Sequence, residues 1–140
     1  MTPDHTLQPG ATLPDRVHKV TQPLIDAYAR VSGDHNPLHT DPEFASTTHF
    51  GGTIAHGMMT LAFASAAMEA WAGPDWAQSG AMDVTFLSPV LPGSEVVVSI
   101  EVPDAAVDGR LECRINCTVA GKAVLTGAVS IAAKRNMGTT

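Results

Sequence analysis

The feature that most constrains the fold of this sequence is an apolar helix that precedes a series of strands. From about residue 56 or 57 to residue 71 the pattern is apolar on every side, and Gly73 and Pro74 end it. Its polar interruptions are Thr60, Ser65 and Glu69. A helix that is hydrophobic all round must be enclosed by other parts of the protein. The run is too short for the roughly 20 residues of a bilayer span. We therefore expect a buried helix and no membrane segment.

After this helix the hydrophobic period changes to two. Apolar and polar residues alternate over residues 82–86, 95–102, 111–119 and 123–133. This alternation is typical of half-buried strands. Asp108 with Gly109 predicts a two-residue hairpin turn, and Gly121 with Lys122 predicts a second turn. Residues 16–21 alternate weakly and could form a first strand at a sheet edge. Four antiparallel strands after one buried helix predict an α+β domain whose sheet curls round the helix.

Two shorter helices are expected before the buried one. Thr21 and Pro23 mark the start of the first, and Gly33 marks its end. Asp41 with Pro42 predicts a helical turn through about residue 47, with Phe44 as its anchor in the core.

Size and composition indicate one globular domain. The chain has 140 residues, of which 44% are hydrophobic and 16% charged. We expect a single domain over residues 15–134, with loosely held ends at 1–14 and 135–140. A net charge of −6, with only eight lysines and arginines, argues against a nucleic-acid surface. No pattern of a signal peptide is present, so the cytoplasm is the expected compartment.

The two cysteines are predicted to be structural. Cys113 and Cys117 are four residues apart in a predicted strand, where their Cα atoms would lie about 13 Å apart. That separation is too large for a disulfide. Both share a face with apolar residues, so we expect buried free thiols.

The segment YARVSGDHNPLH, residues 28–39, concentrates the polar chemistry of the chain. It places Asp34, Asn36 and His39 within six residues. Pro37 fixes its own φ and moves Asn36 away from helical geometry, so we expect a stiff, non-helical segment. A carboxylate and a histidine held together can perform general acid–base chemistry on a water molecule. The alternative is a turn in which Asp34 and Asn36 bond their own backbone, and spacing alone does not choose between the two.

These residues resemble a known family. Tyr28, the run 32–34 and the run 36–39 resemble the signature of the (R)-specific enoyl-CoA hydratases and MaoC-like dehydratases. The run 55–58, Ala-His-Gly-Met, is similar to a second segment of that family. The similarity covers about residues 15 to 133. It implies a hotdog fold, an antiparallel sheet wrapped round one long helix, and at least a homodimer.

The resemblance also implies a reaction. Water would add to a trans-2-enoyl thioester to give an (R)-3-hydroxyacyl thioester, or the reverse dehydration would occur, without a cofactor. The resemblance assigns catalysis to Asp34 and His39 and a share of the oxyanion site to Gly57. The N–H of Gly57, at the start of the buried helix, is a suitable donor to a developing oxyanion. Asn36 would fix the substrate or the Asp34 carboxylate. The carrier (coenzyme A or acyl carrier protein), the acyl length and the direction cannot be read from the sequence.

Four further residues are candidates for the lining of the pocket. His56 is expected to be mainly structural, bonding backbone near the helix start. Ser65 could line the acyl pocket or simply pack between helices. The Tyr28 ring should lie beneath the loop, with its hydroxyl able to bond within the site. Met58 is the fourth candidate.

A metal site is not expected. The histidines that could suggest one are His35, His39, His49 and His56. Pro37 prevents a helix that would align His35 with His39, and no repeated carboxylate–histidine pattern follows.

Two other functions compete with a hydro-lyase. A hotdog thioesterase would commonly carry its acidic residue on the buried helix, where Glu69 is the one candidate and lies late in the helix. A non-catalytic acyl-CoA-binding module would not need Asp34, Asn36 and His39 together.

Overall fold

The computed structural model describes residues 8–133 as an α+β domain. The strands are β1 Arg16–Lys19, β2 Ala81–Phe86, β3 Glu95–Glu101, β4 Arg110–Val119 and β5 Lys122–Ala132. The helices are α1 Gln22–Ser32, α2 Pro37–Thr40, α3 Pro42–Ser46, α4 Gly57–Ala72 and α5 Pro74–Ser79. The predicted long helix and all the predicted strands are present.

The five strands form one antiparallel sheet in the order β1-β3-β4-β5-β2. Strand β1 lies at an edge, as the weak alternation of residues 16–21 predicted. Strand β2 forms the other edge and pairs with β5, so that Phe86 lies opposite Leu125. The segment 87–94 must therefore cross from one side of the sheet to the other. On its way the Val90 carbonyl accepts a hydrogen bond from Ala55 N at 2.7 Å, just before α4 begins.

Helix α4 packs one side against the sheet. Its buried residues are Met59, Thr60, Ala64, Ala67, Met68, Trp71 and Ala72, and they meet inward residues of β3, β4 and β5 such as Val96, Ile115 and Leu125. The expectation that the helix is enclosed on all sides is wrong for the isolated chain. Its opposite side exposes Met58, Ala62, Ala66 and Ala70, because a single sheet covers only one side of a helix. Within residues 8–133, no helix is long and apolar enough to cross a membrane.

The predicted limits of α1 are confirmed by its caps. Thr21 Oγ1 accepts a hydrogen bond from Leu24 N at 3.2 Å, and Pro23 lies in the first turn. Gly33 ends the helix in the left-handed region, with a φ of 78°. Glycine adopts this conformation without the steric cost that a side chain would add.

Three expectations about the other short helices are wrong. The segment 34–39 is not wholly non-helical, because α2 begins at Pro37, and proline suits the first position of a helix. Helix α5 begins at Pro74 for the same reason, where we expected only a stop. Phe44 is 45% exposed, and the buried residue of α3 is Ala45. The direction in which a one-turn helix faces is not fixed by its sequence.

One predicted turn is confirmed and the other is displaced by one residue. Asp108 and Gly109 have φ values of 51° and 77° and connect Val107 to Arg110. The second turn uses Ala120 and Gly121, with φ values of 49° and 78°, and Lys122 already belongs to β5. Both central residues of such a turn need positive φ. The sequence did not predict this because alanine disfavours that region.

The N-terminal segment is better held than expected. Residues 1–7 and 134–140 lie outside the described part of the chain, but residues 8–14 contact the sheet. Gly10 N donates to the Pro103 carbonyl at 2.7 Å, Thr12 forms a bridge with Glu101, and Leu13 packs on the core. A local sequence pattern does not show such contacts with residues about 90 positions away.

Both cysteines are buried and free, as predicted. They project from β4 into the core, opposite Val129 and Leu125 of β5. Burial disfavours the thiolate and raises the pKa of each thiol to about 11.

His18 is a partly buried titratable group that lies outside the polar segment 28–39. Its ring stacks on Phe63 of α4 with centroids 4.2 Å apart, and its Nε2 has no hydrogen-bond partner among the described residues. Desolvation, and then the charge of nearby Arg16, lower the pKa of His18 below its ordinary value. The folded state therefore favours the neutral imidazole.

This shift predicts a stability that depends on pH. Because the folded pKa is lower than the unfolded pKa of about 6.5, the stabilisation is fully present above pH 6.5 and is lost as the pH falls below it. The substitution His18→Phe keeps an aromatic ring in the stack. Between pH 7.5 and 5.5, we expect the thermal midpoint of this variant to fall less than that of the unmutated protein. The control is His35→Gln, which removes an exposed histidine. An unchanged pH dependence in His18→Phe would contradict the assignment.

Candidate active site

Asp34 lies in the loop between α1 and α2, with its side chain 54% exposed. One carboxylate oxygen, Oδ1, accepts a hydrogen bond from Asn36 N at 3.2 Å, and Ser32 Oγ accepts one from Asp34 N at 3.2 Å. Asn36 in turn caps α2, where its Oδ1 accepts from Leu38 N at 3.0 Å. The predicted turn chemistry is therefore present. It leaves the second oxygen, Oδ2, for other partners.

His39 lies in α2, and its side chain is 12% exposed. Its Nδ1 is 2.8 Å from the Ile54 carbonyl oxygen. A carbonyl can only accept, so Nδ1 carries the hydrogen, and Nε2 of the neutral ring is an acceptor. Nε2 lies 4.0 Å from Asp34 Oδ2. This distance is too long for a direct hydrogen bond and suits one water molecule between the two atoms.

His56 connects the loop to the start of α4. The residue is 2% exposed, and its ring stacks on that of His39 with centroids 3.9 Å apart. Its Nε2 donates to the Asp34 carbonyl at 3.0 Å, while its buried Nδ1 has no partner among the described residues. The centroid of the Tyr28 ring lies 4.9 Å from that of His56. His56 therefore bonds backbone and contacts two aromatic rings, and the roles expected for His56 and Tyr28 stay predictions.

Gly57 opens α4 immediately beside this histidine pair. Among the described residues, no side chain caps the helix. Met59 N donates to the His56 carbonyl at 3.0 Å, whereas the N–H of Gly57, at the helix start, has no partner within the helix. Gly57 is exposed, and a Cβ placed on it would lie 3.2 Å from the Phe86 ring. The backbone at this point is therefore open to a ligand, with one aromatic ring against it.

An apolar cavity of about 310 Å³ adjoins Gly57. Its lining includes Phe50, Ile54, Gly57, Thr60, Phe86 and Leu87. Most of these side chains are apolar, and Ile54 is the residue whose carbonyl orients His39. Ile54 is thus common to the cavity wall and to the surroundings of His39, while Asp34 and His39 themselves are not among the residues that line the cavity.

None of the four residues predicted to line the pocket, Tyr28, His56, Met58 and Ser65, is among those that line this cavity. Ser65 accepts a hydrogen bond from Trp76 Nε1 at 2.8 Å, which ties α5 to α4 and fits the packing alternative. Met58 is 55% exposed and is not among the residues that line the cavity. Asn36 lies beside Asp34 and orients it through its backbone N–H.

Asp34, His39 and His56 also offer possible metal ligands, with one atom of each within 4.8 Å of the others. The two imidazoles are stacked at an interplanar angle of only 28°. A metal ion binds in the plane of an imidazole ring, so stacked rings cannot share one ion without rotating. Rotation would break the bond to Ile54 or to Asp34. The arrangement therefore suits a bound water better than a metal.

Sequence reasoning missed two contributors to the site. Ile54 acts through its carbonyl, and no side-chain pattern indicates that role. Phe86 was predicted only as an apolar strand residue, although it is 49% exposed at the end of β2 and lies against Gly57. Its position at a strand end, where the alternation stops, was the available signal.

Comparison with known proteins identifies the family and the fold of the chain. The sequence profile of the family described as MaoC like domain matches residues 7–134. The (R)-specific enoyl-CoA hydratase of Rhodospirillum rubrum is 32% identical over 117 residues, which is 80% of this chain and 78% of that protein. The fatty acid synthase subunit beta of Schizosaccharomyces pombe is 39% identical over 84 residues, which is 58% of this chain but only 4% of that protein.

Among solved structures, the unliganded R-hydratase PhaJ1 from Pseudomonas aeruginosa superimposes with a TM-score of 0.80. The two sequences are 30% identical, and the match covers 96% of this chain and 87% of that one. Profile, sequence and structure agree over nearly the whole chain, which therefore belongs to the MaoC-like dehydratase family and has its hotdog fold.

Proposed function

We propose that this protein is a hydro-lyase that adds water to trans-2-enoyl thioesters to give (R)-3-hydroxyacyl thioesters, or catalyses the reverse dehydration. The observation that carries the proposal is the gap of 4.0 Å between Asp34 Oδ2 and His39 Nε2. Both atoms are acceptors, and a water between them would donate one O–H to each. Its oxygen lone pairs would then point away from the pair, towards a substrate.

In the proposed hydration, one of the two acceptors takes a proton from this water. The water oxygen bonds to C3 of the substrate, and the C2=C3 π electrons move towards C2 and the thioester oxygen. C2 then takes a proton, which leaves the net addition of one water. His39 Nε2 starts without a hydrogen because Nδ1 carries it. The group that accepts the proton from water can therefore return it to C2 as the acid.

The negative charge on the thioester oxygen needs a donor. The exposed N–H of Gly57 offers one at the positive end of the 16-residue helix α4. The cavity beside Gly57 is apolar and would take the acyl portion of the substrate. The carrier would be coenzyme A or acyl carrier protein, and names of relatives such as (R)-specific enoyl-CoA hydratase favour coenzyme A.

A thioesterase is less well supported. Glu69, its one candidate acid on α4, is twelve residues beyond Gly57, or about 18 Å along the helix axis. A non-catalytic acyl-CoA-binding module is also less well supported, because it has no need of two acceptors that face one gap.

We also propose that two copies form a homodimer at the β2 edge of the sheet. Strand β2 pairs on one side only, with β5. Exposed apolar side chains surround this edge and the start of α4, where Met58, Phe86 and Leu87 are each about half exposed. A second copy that extended the sheet would pair the open edge and cover these side chains.

The catalytic pair predicts the effects of two substitutions. With crotonyl-CoA as substrate, we expect hydration by the unmutated protein, seen as loss of the conjugated enoyl absorbance. Asp34→Asn and His39→Ala should each lower kcat by about 100-fold or more, because each removes an acid–base group. Circular dichroism should show an unchanged fold, since neither side chain is in the core. Glu69→Gln is the matched control and should keep its hydratase activity, because Glu69 lies twelve residues beyond Gly57 on α4. Near-native hydratase activity in Asp34→Asn or His39→Ala would remove that residue from the proposed role.

The homodimer predicts a mass of twice the 14.6 kDa chain in light scattering at micromolar concentration. Ala62→Glu, on the exposed side of α4 one turn beyond Met58, should shift the mass towards a monomer because it places a charge in an apolar contact. Ala105→Glu, in an exposed loop, is the control. A mass near 14.6 kDa for the unmutated protein would refute the proposal.

The oxyanion role of Gly57 predicts a strong effect of a side chain there. Gly57→Val keeps the backbone N–H but places a side chain where the thioester must approach it, so kcat/KM should fall by about 10²–10³, the usual cost of losing one oxyanion donor. The Phe86 ring lies 3.2 Å from the new Cβ but is half exposed and can turn aside, so the thermal midpoint should change little. Gly57→Ala is the milder companion. A well-folded Gly57→Val with unchanged kcat/KM would show that the donor lies elsewhere.

A further inference from the structure

Gln22, the first residue of α1, makes three side-chain hydrogen bonds, one within α1 and two to other parts of the chain. Its Nε2 donates to the His39 carbonyl at 2.8 Å and to Asp26 Oδ1 at 2.9 Å. Its Oε1 accepts from Thr53 Oγ1 at 2.7 Å. The carbonyl and the carboxylate can only accept, so the orientation of the amide is fixed. Both amide hydrogens and the amide oxygen are used.

These bonds join the two segments that hold the His39 ring. Thr53 precedes Ile54, whose carbonyl accepts from His39 Nδ1 and whose N donates to the Leu38 carbonyl at 3.2 Å. Gln22 therefore connects the main chain of His39 to the segment that carries the acceptor for its ring. A change in this spacing would alter the Nδ1 hydrogen bond, and with it the direction of Nε2.

Packing holds the ring of His39 rather than the backbone of α2. The His39 side chain is 12% exposed and stacks on His56, but none of the four residues of the helix belongs to the buried core. Thr53, by contrast, is 7% exposed. A four-residue helix is marginal by itself, so hydrogen bonds to its neighbours help to hold its backbone in place. Gln22 provides a bond to its backbone from the start of α1.

We propose that Gln22 is a positioning residue for His39, an inference that rests on the proposed function only where it concerns catalysis. It sets the Nδ1–H tautomer and the direction of the ring by holding the His39 backbone and Thr53 at a fixed distance. Only a side-chain amide provides two donors and one acceptor at this point. Glutamate would turn an oxygen towards both the His39 carbonyl and the Asp26 carboxylate, and methionine would form none of the three bonds.

The test compares Gln22→Met with Ile25→Val. Both substitutions lie on α1, and Ile25 is fully buried but makes no side-chain hydrogen bond. With crotonyl-CoA, Gln22→Met should lower kcat by about tenfold or more with KM changed by less than about threefold, because a misdirected base slows the chemical step. Ile25→Val should lower the thermal midpoint at least as much and leave kcat unchanged.

Nitrogen-15 NMR of the histidine rings provides a second readout that needs no substrate. The signals of His39 are identified by their loss in His39→Ala. We expect the Nδ1–H tautomer of His39 in the unmutated protein and a mixture of tautomers in Gln22→Met. Thr53→Val, which removes one bond of the three, should shift the signals in the same direction. Thr53→Ser, which keeps the hydroxyl, should restore them.

The outcomes are separable. If the unmutated protein does not hydrate crotonyl-CoA, the proposed function fails, and the NMR series still decides whether Gln22 positions His39. If Gln22→Met fails to fold, Thr53→Val and Thr53→Ser decide the same question. Unchanged His39 signals in Gln22→Met and Thr53→Val would overturn the proposal, as would an equal loss of kcat in Ile25→Val.

Discussion

Burial of α4 against the sheet is the constraint on which the rest of the structure depends. Met68, Leu111, Ile115, Leu125 and Ile131 are among its largest fully buried side chains, and each contributes about 1.5–3 kcal/mol when removed from water. Interactions of this size fix where α4 begins. Its first residue, Gly57, and the buried His56 before it are therefore attached to the most stable part of the molecule.

The other half of the site, which consists of Asp34, Asn36 and His39, is fixed by fewer buried contacts. Residues 33–37 are exposed, and α2 buries no residue. Their place depends on the stacking of His39 on His56 and on hydrogen bonds, of which those from His56 to the Asp34 carbonyl and from His39 to the Ile54 carbonyl reach the rigid half. Each such bond contributes only about 0.5–1.5 kcal/mol to stability. The geometry of Asp34 and His39 thus depends on a few directional contacts to the fixed start of α4.

The sequence predicted those features that repeat along the chain. Period-two alternation placed the strands, and a long apolar run placed α4, because burial of many residues dominates any single preference. The features it did not predict depend on one residue each. Ala120 takes a positive φ because the register of β4 and β5 requires a tight turn there, and Pro74 begins a helix where a stop was expected.

The same contrast holds for the candidate site. The short spacing of Asp34 and His39 left a simple turn open as an alternative, and the family resemblance was what assigned the two residues to one site. The stacking of His39 on His56, separated by 17 positions, depends on where α4 docks. The hydrogen bonds of Gln22 with His39 and Thr53 also join residues that are far apart in the sequence. Ile54 bonds His39 through its backbone carbonyl, which every residue has. No local pattern carries this information, since tertiary packing decides it.

The buried cysteines have a consequence for chemical compatibility. An enoyl thioester is an electrophile, and thiolates attack it both at C3 and at the carbonyl carbon. Cys113 and Cys117 are the only two cysteines of the chain, and both are buried with the pKa raised to about 11. Near neutral pH only about one thiol in ten thousand would be ionised, against a few per cent for an exposed cysteine. A protein built in this way can hold a reactive acyl group against its backbone without being alkylated or acylated by it.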